Sequence, residues 1–511
     1  MAKLPPLPVR GLVRLKPAAD IWTWPALSAA AAMAVPDVTL LALGRLDLAL
    51  YTAAGALCAL YGHDRPYARR ARTLAWLVLG AVAGMGVALT SAALVHSAPL
   101  LVLLAALVAA VHKAVCDAAR IGPPGNVVLT FLTSTAFFVP QRAAEVPGHL
   151  GLVAASGALA WLICMAPGLV RRHGPERIAV ARALEAAARG DRHAVLVTAE
   201  AARRACAGRP DLEALVAWAE RASSEAEGEA EAGRLREVAR GLRGRSPVPA
   251  LPPAGGFAPA PPYRVRNGLI TLAATRVALG AALAGWASLA LGSSHPHWAV
   301  VSAASVVQAH ASASWQRGAQ RVIGNVVGLA LFAALLPIAR TGEVVMVAVA
   351  LALQVAAEAT MARNYWLGSV FVTPMALLLG EFAGAHPAGG TMADRGADTV
   401  AGAAIGVLVC LLVADGRAVE RVEAALGRVR EARNDAARDG TQETARVRER
   451  LGAALLELRA AVDVAAGERR RHAPPGERIA ARVAHEEREG HRALAALHAL
   501  APAPAPTPAG G

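Results

Sequence analysis

The sequence predicts an all-α polytopic membrane protein of about twelve transmembrane helices, on three observations. Hydrophobic residues make up 55% of the 511 residues and charged residues only 18%, against about 25% charged in an ordinary soluble domain. Twelve predominantly apolar runs recur along the chain, at or near the roughly 20 residues needed to cross a hydrocarbon core about 30 Å thick. Arginines gather in every second loop between these runs, as orientation in a bilayer requires.

The first half, 1–172, holds runs near 21–43, 46–62, 73–95, 98–116, 126–140 and 148–169. The second half, 263–414, holds runs near 268–291, 297–313, 322–338, 344–362, 364–382 and 398–414. The runs at 46–62, 126–140 and 297–313 are short and carry polar residues. The first apolar run leads into many others and lacks a cleavage signature, so it reads as a span and not as a removed signal peptide.

Residues 173–245 are rich in Ala, Glu and Arg, with apolar residues at helical spacing. They predict three or four amphipathic helices. A Pro/Gly-rich linker follows at 246–262. Residues 415–500 alternate Arg and Glu and predict a second helical domain, a small bundle or coiled coil. The tail 501–511, APAPAPTPAGG, has a disordered composition.

Loop charge sets the expected topology. Arg10, Arg14 and Lys16 precede the first span, Arg65, Arg69, Arg70 and Arg72 follow the second, Lys113 and Arg120 flank the end of the fourth, and Arg171 and Arg172 follow the sixth. The second half repeats this with Arg264 and Arg266, Arg317 and Arg321, Arg363, and Arg417. By the positive-inside rule both termini and the central domain are cytoplasmic. Six spans in each half, starting on one side, read as parallel repeats. Asn126 precedes Thr135 by nine residues as Asn364 precedes Thr373, and Arg69 and Arg72 stand where the second half has Arg317 and Arg321.

Composition also excludes. The net charge of +14 lies in short loops and not on one basic face, so nucleic acid is not an expected partner; the lipid bilayer is. Three lysines against abundant arginine and alanine point to a high-GC bacterial genome. The five cysteines form no Cys-x-x-Cys pair and read as small buried hydrophobes. No lysine follows a glycine, no Gly-x-Ser-x-Gly occurs, and His485-Glu486 lacks a second histidine. Nothing therefore predicts an ATPase, a serine hydrolase or a metalloprotease, and no enzymatic activity, cofactor or metal is expected.

Polar residues inside the spans are the sharpest functional signal, because they are costly there and face a cavity or a partner. Glu358, with Gln354 one turn earlier, reads either as a titrating or substrate-facing carboxylate or as an ion-pair partner of Arg363. Arg276 either snorkels to the interface or lines an anion pathway. His295, His297 and Trp298 form His-Pro-His-Trp, read as an interfacial aromatic belt. Gln308, His310, Arg317 and Arg321 follow, the two arginines four apart on one helix face, as an anion-attracting vestibule or as topology determinants. Gly80/Gly84, Gly324/Gly328 and Gly402/Gly406 are Gly-x-x-x-Gly pairs for close helix packing. Pro36 and Pro374 predict kinks.

The stretch HPHWAVVSAASVVQAHASASWQRGAQRVIGNVVGLALFAALL (295–336), followed by RNYWLGSVFVTPMALLL (363–379), resembles the fusaric acid resistance protein-like family, which overlaps the aromatic acid exporters. The residues that carry the resemblance are Trp298, Gln308, Arg317, Arg321, Gly324, Gly328, Asn364, Tyr365, Thr373 and Pro374. Ala309 stands where many relatives have proline. The resemblance implies a bacterial inner-membrane permease that exports aromatic carboxylic acids or related toxic organic anions, and it allows self-association. A substrate pathway through Arg276, Trp298, Gln308, Arg317, Arg321, Glu358, Asn364, Tyr365 and Thr373 is the expected site, with Arg69, Arg72, Asn126 and Thr135 as repeat equivalents. A passive organic-anion channel and a membrane-anchored scaffold are the alternatives.

Overall fold

The computed structural model describes residues 11–15, 21–223, 228–244, 246–251, 267–382, 388–438, 444–468 and 477–499. Arg10, Lys16, Arg264, Arg266, linker residues 252–262 and the tail lie outside the described residues. Every element among the described residues is a helix. The chain divides into two compact units, one of Met1–His63, Arg70–Pro167 and Val265–Asp415, the other of Asp64–Arg69, Gly168–Arg264 and Gly416–Gly511.

The first unit is the apolar one. Its first half comprises α1 (Thr23–Ala42), α2 (Ala49–Ala56, flanked by the 3-10 turns Leu46–Leu48 and Leu57–Leu60), α3 (Tyr67–Leu94), α4 (Ala98–Ala118), α5 (Val127–Ala136) and α6 (Val146–Met165). After the intervening α7 to α11, its second half comprises α12 (Asn267–Ala290), α13 (His297–Val306), α14 (Ala311–Ala339), α15 (Glu343–Met361), α16 (Tyr365–Glu381) and α17 (Ala388–Leu412). Large side chains such as Leu27, Trp76, Leu79, Val111 and Val326 stand on the surface, an apolar exterior that suits lipid and not water.

All twelve predicted runs contain a helix, but among the described residues only eight helices are long and apolar enough to span. The shorter ones, Leu46–Leu60, Val127–Ala136, His297–Val306 and Tyr365–Glu381, are second and fifth in each half. At 1.5 Å per residue the ten-residue α5 and α13 are about 15 Å long, half a bilayer core. Residues 297–313, expected as one span, break at Val307–His310 because local polar groups terminate one helix and start the next. Gln308 turns its side-chain amide onto the Ser305 and Val307 carbonyls, and His310 accepts from the Ala313 amide to cap α14.

Several long helices extend past the expected runs into their charged flanks. Helix α3 starts at Tyr67, α14 at Ala311 and α17 at Ala388. The arginines read as loop charges at 69–72 and 317–321 therefore lie on helices.

The packing of the two halves is reciprocal. Helix α1 lies on α15 and α12 on α4, so each half's first helix meets the other's fourth. Helix α13 meets α5 and α16 meets α2, second against fifth. Glycines permit the closest crossings. A Cβ on Gly402 would come 2.5 Å from the Ala299 carbonyl oxygen on α13, and one on Gly324 would come 2.5 Å from that of Trp366 on α16. Gly80, by contrast, faces open space, so the expected packing role holds for Gly84 alone in that pair.

The second unit is a helical assembly with its own cores. It contains α7 (Pro167–Val170), α8 (Gly174–Ala187), α9 (Arg192–Cys206), α10 (Pro210–Ala222), α11 (Glu229–Arg243), α18 (Ala418–Arg438), α19 (Thr444–Gly467) and α20 (Glu477–Ala499). Proline in the first turn starts α8 and α10, and Asp191 caps α9 by accepting from the Ala194 amide. Leu184, Leu212, Leu215 and Leu235 fill one core; Val422, Leu426, Leu451 and Leu458 fill another. Helices α9 and α10 pack on α19 and α20 respectively, and Leu196 packs against the second core. Glu220, buried among them, pairs with Arg203 and lies 3.6 Å from His498.

Candidate functional site

The short helices, about half the length of a span, place helix ends within the apolar unit. Helix α13 ends at Val306, and α16 begins beside it with Asn364, whose Oδ1 accepts from the Trp366 amide at 3.2 Å. In a bilayer, non-helical backbone is tolerated only where protein or a water-filled cavity surrounds it. Here it is surrounded by polar side chains from α13, α14, α16 and α17.

Arg317 and Arg321, one turn apart on α14, both reach Tyr365. The Arg317 guanidinium carbon sits 3.5 Å from the centre of the tyrosine ring, and Arg321 Nη1 donates to the phenolic oxygen at 2.9 Å. The ring's negative face and its hydroxyl thus hold two cations apart and in place. Further along the α14–α16 seam, Thr373 donates to Asn325 Oδ1 at 3.3 Å.

Arg395 on α17 completes the group. It is 2% exposed, its guanidinium lies 5.3 Å over the Trp298 ring, and it is close enough to interact electrostatically with Arg321, Tyr365 and Asp398. Trp298 stacks on His295 at 4.4 Å, and His295 Nδ1 is 2.9 Å from Asp394 Oδ2. Trp298 is buried, which corrects the expectation of a lipid-facing belt: its ring is packed between a histidine and an arginine.

The nearby acids are engaged elsewhere. Asp394 takes His295 and the Ser294 amide, Asp398 accepts from Ser293, and Glu381 pairs with Arg340. Among the described residues, Arg317 Nε, Arg395 Nε and Nη1, Ser302 Oγ and Thr399 Oγ1 are enclosed with no hydrogen-bond partner. A guanidinium buried without a counter-charge costs several kcal/mol. Three together make a place where negative charge is strongly favoured.

The remaining expected residues divide as follows. Arg276, 1% exposed, does not snorkel; its Nε donates to the Val413 carbonyl at 2.8 Å and caps the end of α17. Gln308 is occupied by its own turn. Asn364 also donates to the Leu12 and Arg14 carbonyls, tying the N-terminal segment to α16. Glu358 is half-buried on α15, and among the described residues it makes no ion pair with Arg363 or any other group. In the first half Asn126 also stands at the start of its short helix. Thr135 bonds its own helix, whereas the residue packed on Gly84, as Thr373 is on Gly328, is Thr133. Arg69 and Arg72 are exposed, and the buried arginine there is Arg70.

Arg395, Ser302 and Thr399 were not expected. The apolar run near 398–414 leaves Asp394 and Arg395 outside it. The spacing of Arg395, Thr399 and Gly402, which places them on one face of a helix, was the signal available.

The site lies within a recognised domain. Residues 282–409 match the model of the fusaric acid resistance protein-like family. The match holds α13 to α16 and all but the last turn of α17, and so every residue of the cluster. The chain is accordingly a membrane protein with a fusaric acid resistance protein-like domain, and its apolar helices accord with a transporter or permease. No curated protein and no solved structure matches the chain.

Proposed function

We propose that the protein is an inner-membrane permease that exports organic anions, aromatic carboxylic acids foremost, through the Arg317–Arg321–Tyr365–Arg395 cluster. The carrying observation is the cluster itself, three guanidinium groups held within the apolar unit without matched carboxylates. A protein that only anchored other domains would gain nothing from this cost, whereas a pathway for anions needs favourable charge where lipid offers none.

Further readings support the proposal. The reciprocal contacts, and the recurrence of short helices at second and fifth place, favour two parallel six-helix repeats around a shared route. Their short members need not cross the bilayer alone if each half-length segment is continued by another. Arginine placement at the helix ends supports a cytoplasmic position for both termini and the helical unit, in a bacterial cell. Glu358, without an ion-pair partner among the described residues, is the candidate for proton coupling.

The test is efflux of labelled benzoate from proteoliposomes containing wild type, Arg321→Gln or Glu358→Gln. Wild type should move benzoate, Arg321→Gln should lose at least tenfold of the rate, and Glu358→Gln should lose the response to a pH gradient. Current through wild type that follows the imposed gradient with no pH coupling would instead identify a passive channel. No flux of any organic anion would sink the proposal.

A further inference from the structure

One face of α17 and one face of α13 meet along a stripe that the protein itself leaves unsatisfied. On α17 the stripe runs Arg395, Thr399, Gly402, at positions i, i+4 and i+7. On α13 it runs Trp298 and Ser302, at i and i+4. Gly402 brings the two backbones together, with the Ser302 Cβ 2.8 Å from where a Cβ on Gly402 would lie. Arg395 covers the Trp298 ring one to two turns away.

Ser302 and Thr399 are both fully enclosed and Arg395 is 98% enclosed, yet neither hydroxyl oxygen and neither Nε nor Nη1 of Arg395 has a hydrogen-bond partner among the described residues. Buried polar groups are normally paired, and an unpaired set of this kind marks a place for a ligand or an ion. The set is specific in its chemistry. A guanidinium offers donors in one plane, two hydroxyls add donors at the next turn, and the nearest carboxylates accept from other groups, Asp394 from His295 and the Ser294 amide and Asp398 from Ser293.

We infer that Arg395, Ser302 and Thr399 form the seat of a carboxylate anion, with the Trp298 ring as one wall. The inference rests on the anion-permease reading and sharpens it by naming the atoms that take the charged end of the cargo. In this arrangement the Arg317–Arg321–Tyr365 group lies next along the path. Ser305, between the two on α13, bonds its hydroxyl back onto the Ser302 carbonyl at 2.9 Å.

The test uses the full-length protein in lipid nanodiscs with benzoate as probe, read by thermal unfolding and tryptophan fluorescence, alongside benzoate flux in proteoliposomes. Wild type should be stabilised by benzoate and not by an equal concentration of choline chloride. Arg395→Met should weaken benzoate binding at least tenfold and, because it removes an unpaired buried cation, should unfold at a higher temperature than wild type without anion. Thr399→Val, a nearly isosteric change, should weaken binding severalfold with the fold intact. If Arg395→Met binds benzoate as wild type does, or unfolds at a lower temperature than anion-free wild type, the seat is overturned. Flux by wild type together with unaltered binding in Arg395→Met and Thr399→Val would overturn the seat and leave the permease reading standing. Absence of both flux and binding in wild type would remove both.

Discussion

The two halves of the apolar unit each bury an arginine at the start of the third helix, and they use it differently. In the first half Arg70 is enclosed by carbonyls: Nε donates to Gly62 at 2.8 Å, Nη2 to His63 at 2.6 Å and Nη1 to Cys164 at 3.3 Å. Those oxygens lie at or near the ends of the 3-10 turn Leu57–Leu60 and of α6, where helices leave carbonyls without partners. In the second half Arg317 and Arg321 meet a tyrosine, and Arg395 lies over a tryptophan ring. A buried cation wrapped in oxygen atoms is a structural clamp; one facing aromatic rings still needs an anion. The same pattern of helices thus supports one half built for rigidity and one with charge to offer.

The largest effect expected from this contrast is on Arg70. Arg70→Met removes a satisfied buried cation and leaves three carbonyls bare, which should cost about 3–5 kcal/mol. Thermal unfolding in nanodiscs would show it as lost or sharply less stable protein, whereas Arg321→Met should fold and fail in flux. Equal destabilisation by both would erase the distinction. Next in size is the glycine pair of each half. Gly402→Ala forces apart α13 and α17 and should cost about 1–3 kcal/mol, while Gly80→Ala meets nothing and should be neutral or stabilising by up to about 1 kcal/mol. Smaller still, Thr373→Val breaks the bond to Asn325 and should cost about 1 kcal/mol, against a few tenths for Thr135→Val, whose hydroxyl serves only its own helix.

A further contrast is supplied by the helical unit, where the buried Glu220 carboxylate lies among cations. Burial alone would push the Glu220 carboxyl up, but the charge of Arg203, the His498 hydrogen bond and the charge of Arg448 outweigh it and hold the group well below the usual carboxylate range. A carboxylate so depressed stabilises the fold fully above its unfolded pKa of about 4.3 and loses that stability as pH falls below it. Unfolding of the full chain followed between pH 7 and pH 3 should therefore show a plateau and then a decline, and Glu220→Gln should flatten the decline while lowering the plateau.

The helical character was legible because apolar length and arginine rhythm are properties of the local sequence. So was the pairing of Arg317 with Arg321 on one face, since it needs only a helical repeat. What escaped was depth. Whether Arg395 flanks a span or lies inside one depends on where α17 begins, and hydropathy moves a boundary away from charge even when a neighbouring helix can enclose it. Trp298 follows the same rule: a tryptophan beside histidines looks interfacial in the sequence, and only the fold lays Arg395 over its ring. Likewise Arg276 has no local sign of its partner, the Val413 carbonyl, because that atom is supplied by a helix far along the chain.

The helical unit is assembled from two stretches that translation makes far apart in time. Arg203 and Glu220 leave the ribosome before the second apolar half exists, while Arg448 and His498 leave after all of it. Until then Leu196 and the Glu220 carboxylate lack the surface that buries them. Completion of this unit is therefore a molecular receipt for a fully synthesised chain, and a product truncated near residue 415 would present quality-control proteases with an open, charged and greasy face.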